Sequence, residues 1–209
     1  MKSYHLIIGL IVFIFSGCGN EVSTSTKDGS VTITMEILDG TWIEECLFIS
    51  STSTSGKRAI VLSSSNNTGI KSTTYYTGSI CYNQNYILRE KINNISIGTK
   101  TANTEGMIIT KYTAVISDIT IEPKNAAIVS TLNSISYCGV TSWSSGSETS
   151  IAGKTCSSTS ISSVNDGFRN ITQMNSERTY IRNGNTSDLG SDGYPKTIYG
   201  NKYYKERRN

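Results

Sequence analysis

The sequence has very little histidine. His5 is the single one, and it lies in an apolar amino-terminal segment that we expect to be removed. The mature chain would then offer no imidazole for serine–histidine–aspartate or cysteine–histidine catalysis, and no histidine metal ligand. The adjacent Glu44 and Glu45 would point to opposite faces of a strand, which is poor geometry for a catalytic pair. Should Glu44 face inward with Trp42, it would need a partner, and the sequence predicts none. We find no catalytic residues, and the sequence favours a protein that is not an enzyme.

Prolines and long amphipathic helices are also scarce. Only two prolines occur among 209 residues, and charged residues make up 17% of the chain against 36% hydrophobic ones. This composition suits one domain, or at most two small ones, with many exposed turns. The net charge of +3 is too small to indicate nucleic acid as a partner. A basic tail is typical of a solvated end, with a membrane-surface contact as the sharper alternative; it comprises Lys202, Lys205, Arg207 and Arg208.

The amino terminus has the order of a lipoprotein signal. Lys2 precedes an apolar run from Leu6 to Phe15, which at about ten residues is too short to span a bilayer. The run ends in Phe15-Ser16-Gly17-Cys18, which resembles the lipobox of bacterial lipoproteins, where the cysteine is acylated and becomes the first residue. The resemblance implies a signal peptide over 1–17 and lipid attachment, palmitate included, at Cys18. The alternative is an ordinary secretory signal cut near Gly17, with Cys18 as a thiol.

This signal also predicts where in the cell the protein is located. Several acyl chains on Cys18 would anchor the protein stably in a membrane. Gly19 follows the cysteine, and no aspartate is present to retain the protein in the inner membrane. We therefore expect the outer membrane of a bacterial cell envelope, on a face that the sequence leaves open. The polar residues 18–30 predict a flexible tether, and residues 31–209 the folded domain.

Four cysteines remain beyond Cys18, namely Cys46, Cys81, Cys138 and Cys156. An exported chain with four cysteines predicts two disulfides, for which three pairings are available. The nearest-neighbour pairing, Cys46–Cys81 with Cys138–Cys156, closes one loop in each half of the chain and is the one we propose. A zinc site would require closely spaced cysteines, which are absent.

Short β-type segments fill the rest of the chain. They are rich in threonine, tyrosine and branched aliphatic residues and are separated by turn clusters. One short helix is predicted over 124–137, after Pro123, from apolar residues at near-helical spacing. Strands at such intervals predict an all-β, antiparallel sandwich or barrel of about 8–10 strands. The predicted strands are 31–35, 41–49, 57–64, 70–76, 86–97, 107–116, 119–122, 168–174, 179–182 and 197–204.

The turn-rich segment 183–195 offers oxygen ligands from Asp188 and Asp192. An EF-hand loop needs glycine at its sixth position and glutamate at its twelfth, where this segment has Asp188 and Tyr194. A role in forming turns explains the composition of this segment better than calcium binding does. No metal and no cofactor is therefore predicted.

Several motifs in order resemble a family of bacterial lipoproteins with a lipocalin-like β-barrel. The resemblance spans residues 38–204 and implies a lipocalin-like barrel. In lipocalins proper, a tryptophan plugs the closed end of the barrel and an arginine from the last strand packs across it. Trp42 matches the tryptophan, and Arg182 and Lys202 are the candidates for the cation. The motifs are Leu38-x-Gly40-Thr41-Trp42, Cys46, Tyr76 with Cys81, Ile95-Ser96-Ile97-Gly98, Tyr137-Cys138-Gly139 with Trp143, and Asp192-Gly193-Tyr194-Pro195 before Tyr203-Tyr204.

Two functions remain open on these grounds. The first is a lipid-anchored, non-enzymatic barrel that holds a small apolar ligand, since a small barrel can enclose one ligand. The second is a structural or surface-interaction lipoprotein whose barrel is filled by side chains. An open apolar cavity would favour the first, and a filled interior with an exposed aromatic patch the second. The protein partner, if there is one, is left open.

Overall fold

The fold is an all-β antiparallel barrel of the lipocalin-like type, as predicted. The computed structural model describes residues 31–49, 54–103 and 105–206. The predicted signal peptide, Cys18 and the tether lie outside the described residues. The described strands are β1 (Gly40–Ile43), β2 (Leu47–Ile49), β3 (Thr54–Ser63), β4 (Thr68–Thr77), β5 (Asn83–Ala102), β6 (Ile108–Pro123), β7 (Thr149–Ser150), β8 (Thr155–Cys156), β9 (Thr159–Ser160), β10 (Gly167–Met174), β11 (Tyr180–Asn183) and β12 (Tyr203–Lys205).

Eight of these strands close into a ring. The ring runs β3, β4, β5, β6, β10, β11, β12 and β1, and it closes where β1 pairs with β3. Each neighbouring pair is antiparallel, and Trp42 on β1 stands opposite Ile60 on β3 and Lys205 on β12. The strands β2 and β7 attach to β3 and β6 outside the ring, and β8 pairs with β9 as a separate hairpin. Closure leaves the eight ring strands without an open edge, which protects them from pairing with other chains.

The hairpin of β5 and β6 is the longest in the barrel. Its register shifts at three points, between Lys91 and Ile92, between Asn93 and Ser96, and between Ile97 and Lys100. Bulges of this kind bend a strand and increase its twist, which lets one long hairpin wrap around a narrow barrel. The structure corrects two predictions here. The predicted strands 107–116 and 119–122 are one strand, and β5 continues beyond the predicted end at residue 97 to Ala102.

Two short α-helices flank the barrel. The predicted helix is present as α2 (Ala126–Ser134), but it begins after Asn125, whose side chain accepts a hydrogen bond from the Ile128 amide, and Pro123 stays in β6. The predicted strand 31–35 is wrong, since Met35–Leu38 forms the one-turn helix α1, capped by Thr34. A 3-10 helix, Tyr137–Gly139, follows α2. Among the described residues, no helix combines the length and apolar character needed to cross a membrane.

The predicted strand 41–49 is interrupted at Glu44–Cys46. The interruption has a physical cause, because the Glu44 side chain turns into the interior and Cys46 is bonded to Cys81 on the β4–β5 connection. The strand predicted over 197–204 is likewise reduced to Tyr203–Lys205, with Ile198 bridging to Gly184.

The buried apolar residues gather toward the two ends of the barrel. The closed end is packed by Trp42 and the residues around it, namely Ile33, Leu38, Ile60, Met174, Ile181 and Tyr203. The opposite end, which we call the mouth, carries residues 124–166, the insert between β6 and β10. The insert packs on β5 and β6 through Leu132, Tyr137, Trp143, Ile151 and the Cys138–Cys156 bridge.

Candidate functional site: the barrel interior

The barrel encloses a cavity of about 560 Å³ between its closed end and its mouth. This volume falls within the range of small-molecule sites in proteins. Much of its wall is aliphatic or aromatic, with Leu62, Leu88, Ile92, Ile97, Ile119 and Phe168 among the lining residues. At the mouth the lining includes the exposed residues Ser160, Ser162 and Gly167, so the cavity reaches the solvent there.

Strand periodicity places the wall residues. Arg58, Ile60 and Leu62 alternate along β3, as do Lys71, Thr73 and Tyr75 along β4, and all six face the cavity. This is the two-residue period of a barrel strand, in which every second side chain points inward.

Three charged side chains line the middle of the cavity. Lys71 Nζ lies 2.8 Å from Glu90 Oε1, directly across the β4–β5 pair. Arg58 Nη1 lies 3.4 Å from Glu44 Oε2, and Glu44 does not line the cavity. Although these groups sit inside the barrel, 41% of the Lys71 side chain and 35% of the Glu90 side chain remain accessible. That accessible surface faces the cavity, which is therefore polar at mid-depth.

Phenol groups surround the same charges. Tyr75, Tyr112 and Tyr203 line the cavity with Arg58 and Lys71. Burial raises the pKa of all three phenols, and for Tyr75 and Tyr203 the neighbouring cations oppose the increase without cancelling it. The phenols therefore keep their protons at neutral pH and can donate hydrogen bonds.

Glu44 has partners, contrary to the expectation from the sequence. Besides Arg58, the Asn201 side chain donates a hydrogen bond to Glu44 Oε1. Burial raises the pKa of the Glu44 carboxyl, and the Arg58 charge and the Asn201 hydrogen bond offset only part of that increase. The adjacent Glu45 is exposed. The sequence could not reveal these partners, because Asn201 is 157 positions away and enters through the last segment of the chain.

Trp42 is fully buried at the closed end of the barrel. Its indole N–H donates to the Leu38 carbonyl at 2.7 Å, so α1 folds over the end of the barrel and holds the ring. The cation above the ring is Lys205, with Nζ 5.1 Å from the ring centroid. Neither sequence candidate occupies this position, because Arg182 and Lys202 both lie over the Tyr180 ring instead. Lys205, assigned from the sequence to a solvated tail, also donates to the Ile37 carbonyl at 3.2 Å.

Both proposed disulfides are confirmed. Cys46 is bonded to Cys81 with Cα atoms 5.9 Å apart, which ties the β1–β2 connection to the β4–β5 connection. Cys138 is bonded to Cys156 with Cα atoms 4.2 Å apart, which ties the 3-10 helix to β8 within the insert.

The carboxylates of segment 183–195 are engaged in ion pairs. Asp188 Oδ1 lies 2.7 Å from Lys196 Nζ, and Asp192 Oδ2 lies 2.7 Å from Lys111 Nζ. Within the described ranges, no group of three or more histidine, cysteine, aspartate or glutamate side chains is arranged to hold a metal ion.

The fold and the interior together define a class: a small lipocalin-like barrel, sealed by a tryptophan at one end and hollow above it. A scan against protein-family models matches no family. A search of curated proteins finds no sequence with significant similarity.

The charged side chains inside the barrel, Arg58, Lys71 and Glu90, were not predicted from the sequence. The alternation of side chains along β3 could have indicated one of them. Arg58 is two residues before Ile60 and four before Leu62, so it shares their inward, apolar face. A charged residue in that phase predicts an inward charge only if the strand bounds are right. On β5 the same phase runs from Leu88 through Glu90 to Ile92, and it changes only between Ile92 and Ile95.

Proposed function

We propose that this chain is a lipid-anchored lipoprotein of the bacterial envelope, with no catalytic role, whose barrel takes up a small, largely apolar ligand. The observation that carries the proposal is the cavity of about 560 Å³, open at the mouth and sealed at Trp42. The anchor rests on Cys18 and its lipobox-like context, and the membrane is the partner it implies. A binding role also fits the interior carboxylates, since Glu44 and Glu90 are each paired with a cation.

The second candidate is an interaction lipoprotein that uses its surface. Large apolar side chains flank the Cys46–Cys81 bridge in exposed positions, namely Phe48, Ile80 and Tyr82. Exposed apolar groups of this kind favour contact with another molecule. The cavity favours the ligand-binding function, because a purely structural barrel would be filled by side chains.

The binding function is tested with the neutral dye N-phenyl-1-naphthylamine, which fluoresces in apolar surroundings. The full chain carrying Cys18→Ala is used, so that neither acyl groups nor detergent compete for the barrel. We expect saturable binding at one site. Gly56→Leu should abolish it, because Gly56 lines the cavity and has room for a side chain. Lys57→Leu, on the outward face of the same strand, is the matched control and should bind as the parent does. Absence of saturable binding would favour the interaction lipoprotein.

The anchor is tested separately. Cys18→Ala should release the protein from the membrane fraction into the soluble fraction, because the acylation site is gone. Unchanged partitioning of this variant would refute the lipoprotein assignment while leaving the binding function untouched.

A further inference from the structure

The cavity wall changes character along the barrel axis. Along β5, Glu90 has Leu88 on the mouth side and Ile92 on the side of the closed end. Along β3, Arg58 is followed by Ile60 in the packing around Trp42. A belt of charged and phenolic side chains, which we call the polar belt, therefore crosses the wall at mid-depth between these apolar residues. The polar belt consists of Arg58, Lys71, Glu90, Tyr75, Tyr112 and Tyr203.

The belt presents more cations than anions to the cavity. Lys71 and Arg58 keep 41% and 20% of their side chains accessible, and Glu90 keeps 35%. Glu44, the partner of Arg58, keeps only 4% and does not line the cavity. At the belt, a molecule inside the barrel thus meets two positive groups and one negative group, and Asp166 adds a second carboxylate at the mouth.

The belt is also rich in hydrogen-bond donors. An ammonium group has three N–H donors, and Glu90 accepts from Lys71 through one oxygen. The guanidinium of Arg58 and the phenols of Tyr75 and Tyr203 lie close enough to influence one another's ionisation, so these groups form one cluster. A donor-rich cluster in low-dielectric surroundings is matched best by a group that only accepts hydrogen bonds and carries negative charge.

We propose that the ligand is a single-chain amphiphile whose anionic headgroup binds Lys71 and Arg58 in the polar belt, with its apolar body extending past Leu88 and Phe168 toward the mouth. The headgroup enters first and the chain end lies nearest the solvent. A carboxylate and a sulfate share this chemistry. The proposal rests on the ligand-binding function above and narrows its ligand class from apolar molecules to anionic amphiphiles.

Displacement of N-phenyl-1-naphthylamine separates the headgroups. Decanoate, 1-decanol and decyltrimethylammonium share an alkyl chain and differ in charge, and each is titrated at pH 7.5 below its aggregation limit. We expect decanoate to displace the dye with an affinity about tenfold higher than decanol, the scale of one charge-assisted hydrogen bond. Decyltrimethylammonium should be the weakest. Decyl sulfate is titrated in parallel. Its affinity should equal that of decanoate if the site recognises negative charge alone, and should be lower if the site prefers the planar carboxylate.

Variants of the belt test which residues carry the preference. Lys71→Met with Glu90→Gln removes the ion pair as a unit, so no lone charge is left inside. This double variant should show a smaller preference for decanoate over decanol, each measured against the dye affinity of the same variant, because Arg58 is then the remaining cation of the belt. Lys71→Arg keeps the charge and should keep the preference. Lys57→Met removes an exposed lysine from the outer face and should change nothing.

The outcomes separate the two proposals. Dye binding with equal displacement by decanol and decanoate would overturn the anionic headgroup and leave the binding function standing, as would a preference for the cation. A decanoate preference of undiminished size in the double variant would also overturn it. A barrel that binds neither dye nor amphiphile would refute both.

Discussion

Trp42 connects the first and last described segments of the chain. Its indole donates to α1 through the Leu38 carbonyl, and the ring lies beneath Lys205 of β12. A cation over an aromatic ring adds about 0.5–1 kcal/mol at an exposed position, which is less than the burial of the indole itself. The apolar burial and the N–H bond therefore account for most of the contribution of Trp42, with Lys205 as a smaller addition.

Trp42→Phe should lower the free energy of unfolding by about 2–4 kcal/mol, because it removes buried volume and leaves the Leu38 carbonyl without its donor. Trp143→Phe is the matched control. Trp143 is also buried, but its indole nitrogen has no hydrogen-bond partner among the described residues. It should lose about 1 kcal/mol less. Urea unfolding at neutral pH measures both, and an equal loss would show that the Leu38 hydrogen bond contributes nothing.

Gly184 lies where a side chain would not fit. A Cβ atom there would stand 2.6 Å from side-chain atoms of both Ile171 and Pro195. Gly184→Ala should therefore destabilise the fold by about 1–3 kcal/mol through overpacking. Gly200→Ala is the control, because nothing lies within 4 Å of its Cβ position, and it should be neutral or slightly stabilising. Thermal unfolding of the two variants compares them directly, and similar shifts in Tm would contradict the steric explanation.

At the scale of elements, the insert depends on its disulfide more than the barrel does. The insert has short strands of two residues each and one helix of nine residues, and Cys138–Cys156 lies in its apolar core. Replacing both cysteines by alanine should lower the free energy of unfolding by about 3 kcal/mol. Hydrogen exchange should accelerate in α2 and β8 while β3 and β4 stay protected. Equal acceleration throughout would mean that insert and barrel unfold as one unit.

The elements differ in how well the sequence predicts them. β3, β4 and β10 are predicted to within a few residues, because threonine, tyrosine and branched residues fill them and turn-forming residues such as Asn66, Gly78 and Asp166 lie at their ends. The segment around Glu44 is mispredicted, because a disulfide and a long-range ion pair, not strand propensity, decide its course. The start of α2 is displaced because Asn125 caps it more effectively than Pro123 could start it.

Contacts inside the barrel are likewise only partly predictable from the sequence. The tryptophan seal was predictable from Trp42 and its neighbours, whereas its cation was not. Lys205 reaches the ring because β1 pairs with β12, and that pairing joins positions 42 and 205. Contacts between chain ends depend on the closed ring, which local patterns do not encode.

For the whole molecule, carboxylates with lowered and with raised pKa values contribute in opposite directions to the pH dependence of stability. The hydrogen bond from Lys91 leads the effects that hold the pKa of Glu148 below its ordinary 4.5. Burial would raise the pKa of Glu122, but Lys124 and Arg89 outweigh it, so the pKa is lowered. A lowered pKa gives stability that is complete above 4.5 and is lost as pH falls. Glu44 has a raised pKa, so its native form holds the proton longer, and stability falls as pH rises above 4.5.

Urea unfolding at pH 3, 5 and 7 tests these signs. Glu148→Gln should reduce the loss of the free energy of unfolding that occurs as the pH falls below 4.5. The reduction should be less than about 1 kcal/mol, because solvent screens this partly exposed carboxylate. Glu44→Gln should remove a decline in the free energy of unfolding as the pH rises above 4.5, with Glu45→Gln, at an exposed position, as the control for a lost charge. A steeper decline in Glu44→Gln would mean that its ion pair with Arg58 outweighs the burial of its charge.

The two described ends of the chain leave the barrel at the same pole. Val31 packs beside the closed-end cluster, and the Glu206 amide donates to Thr41 next to Trp42. An affinity tag or a sensor surface coupled directly at Val31 or Glu206 would therefore lie at the sealed pole. The mouth lies at the opposite end of the barrel, so coupling at these two positions should leave the entrance of the cavity unobstructed.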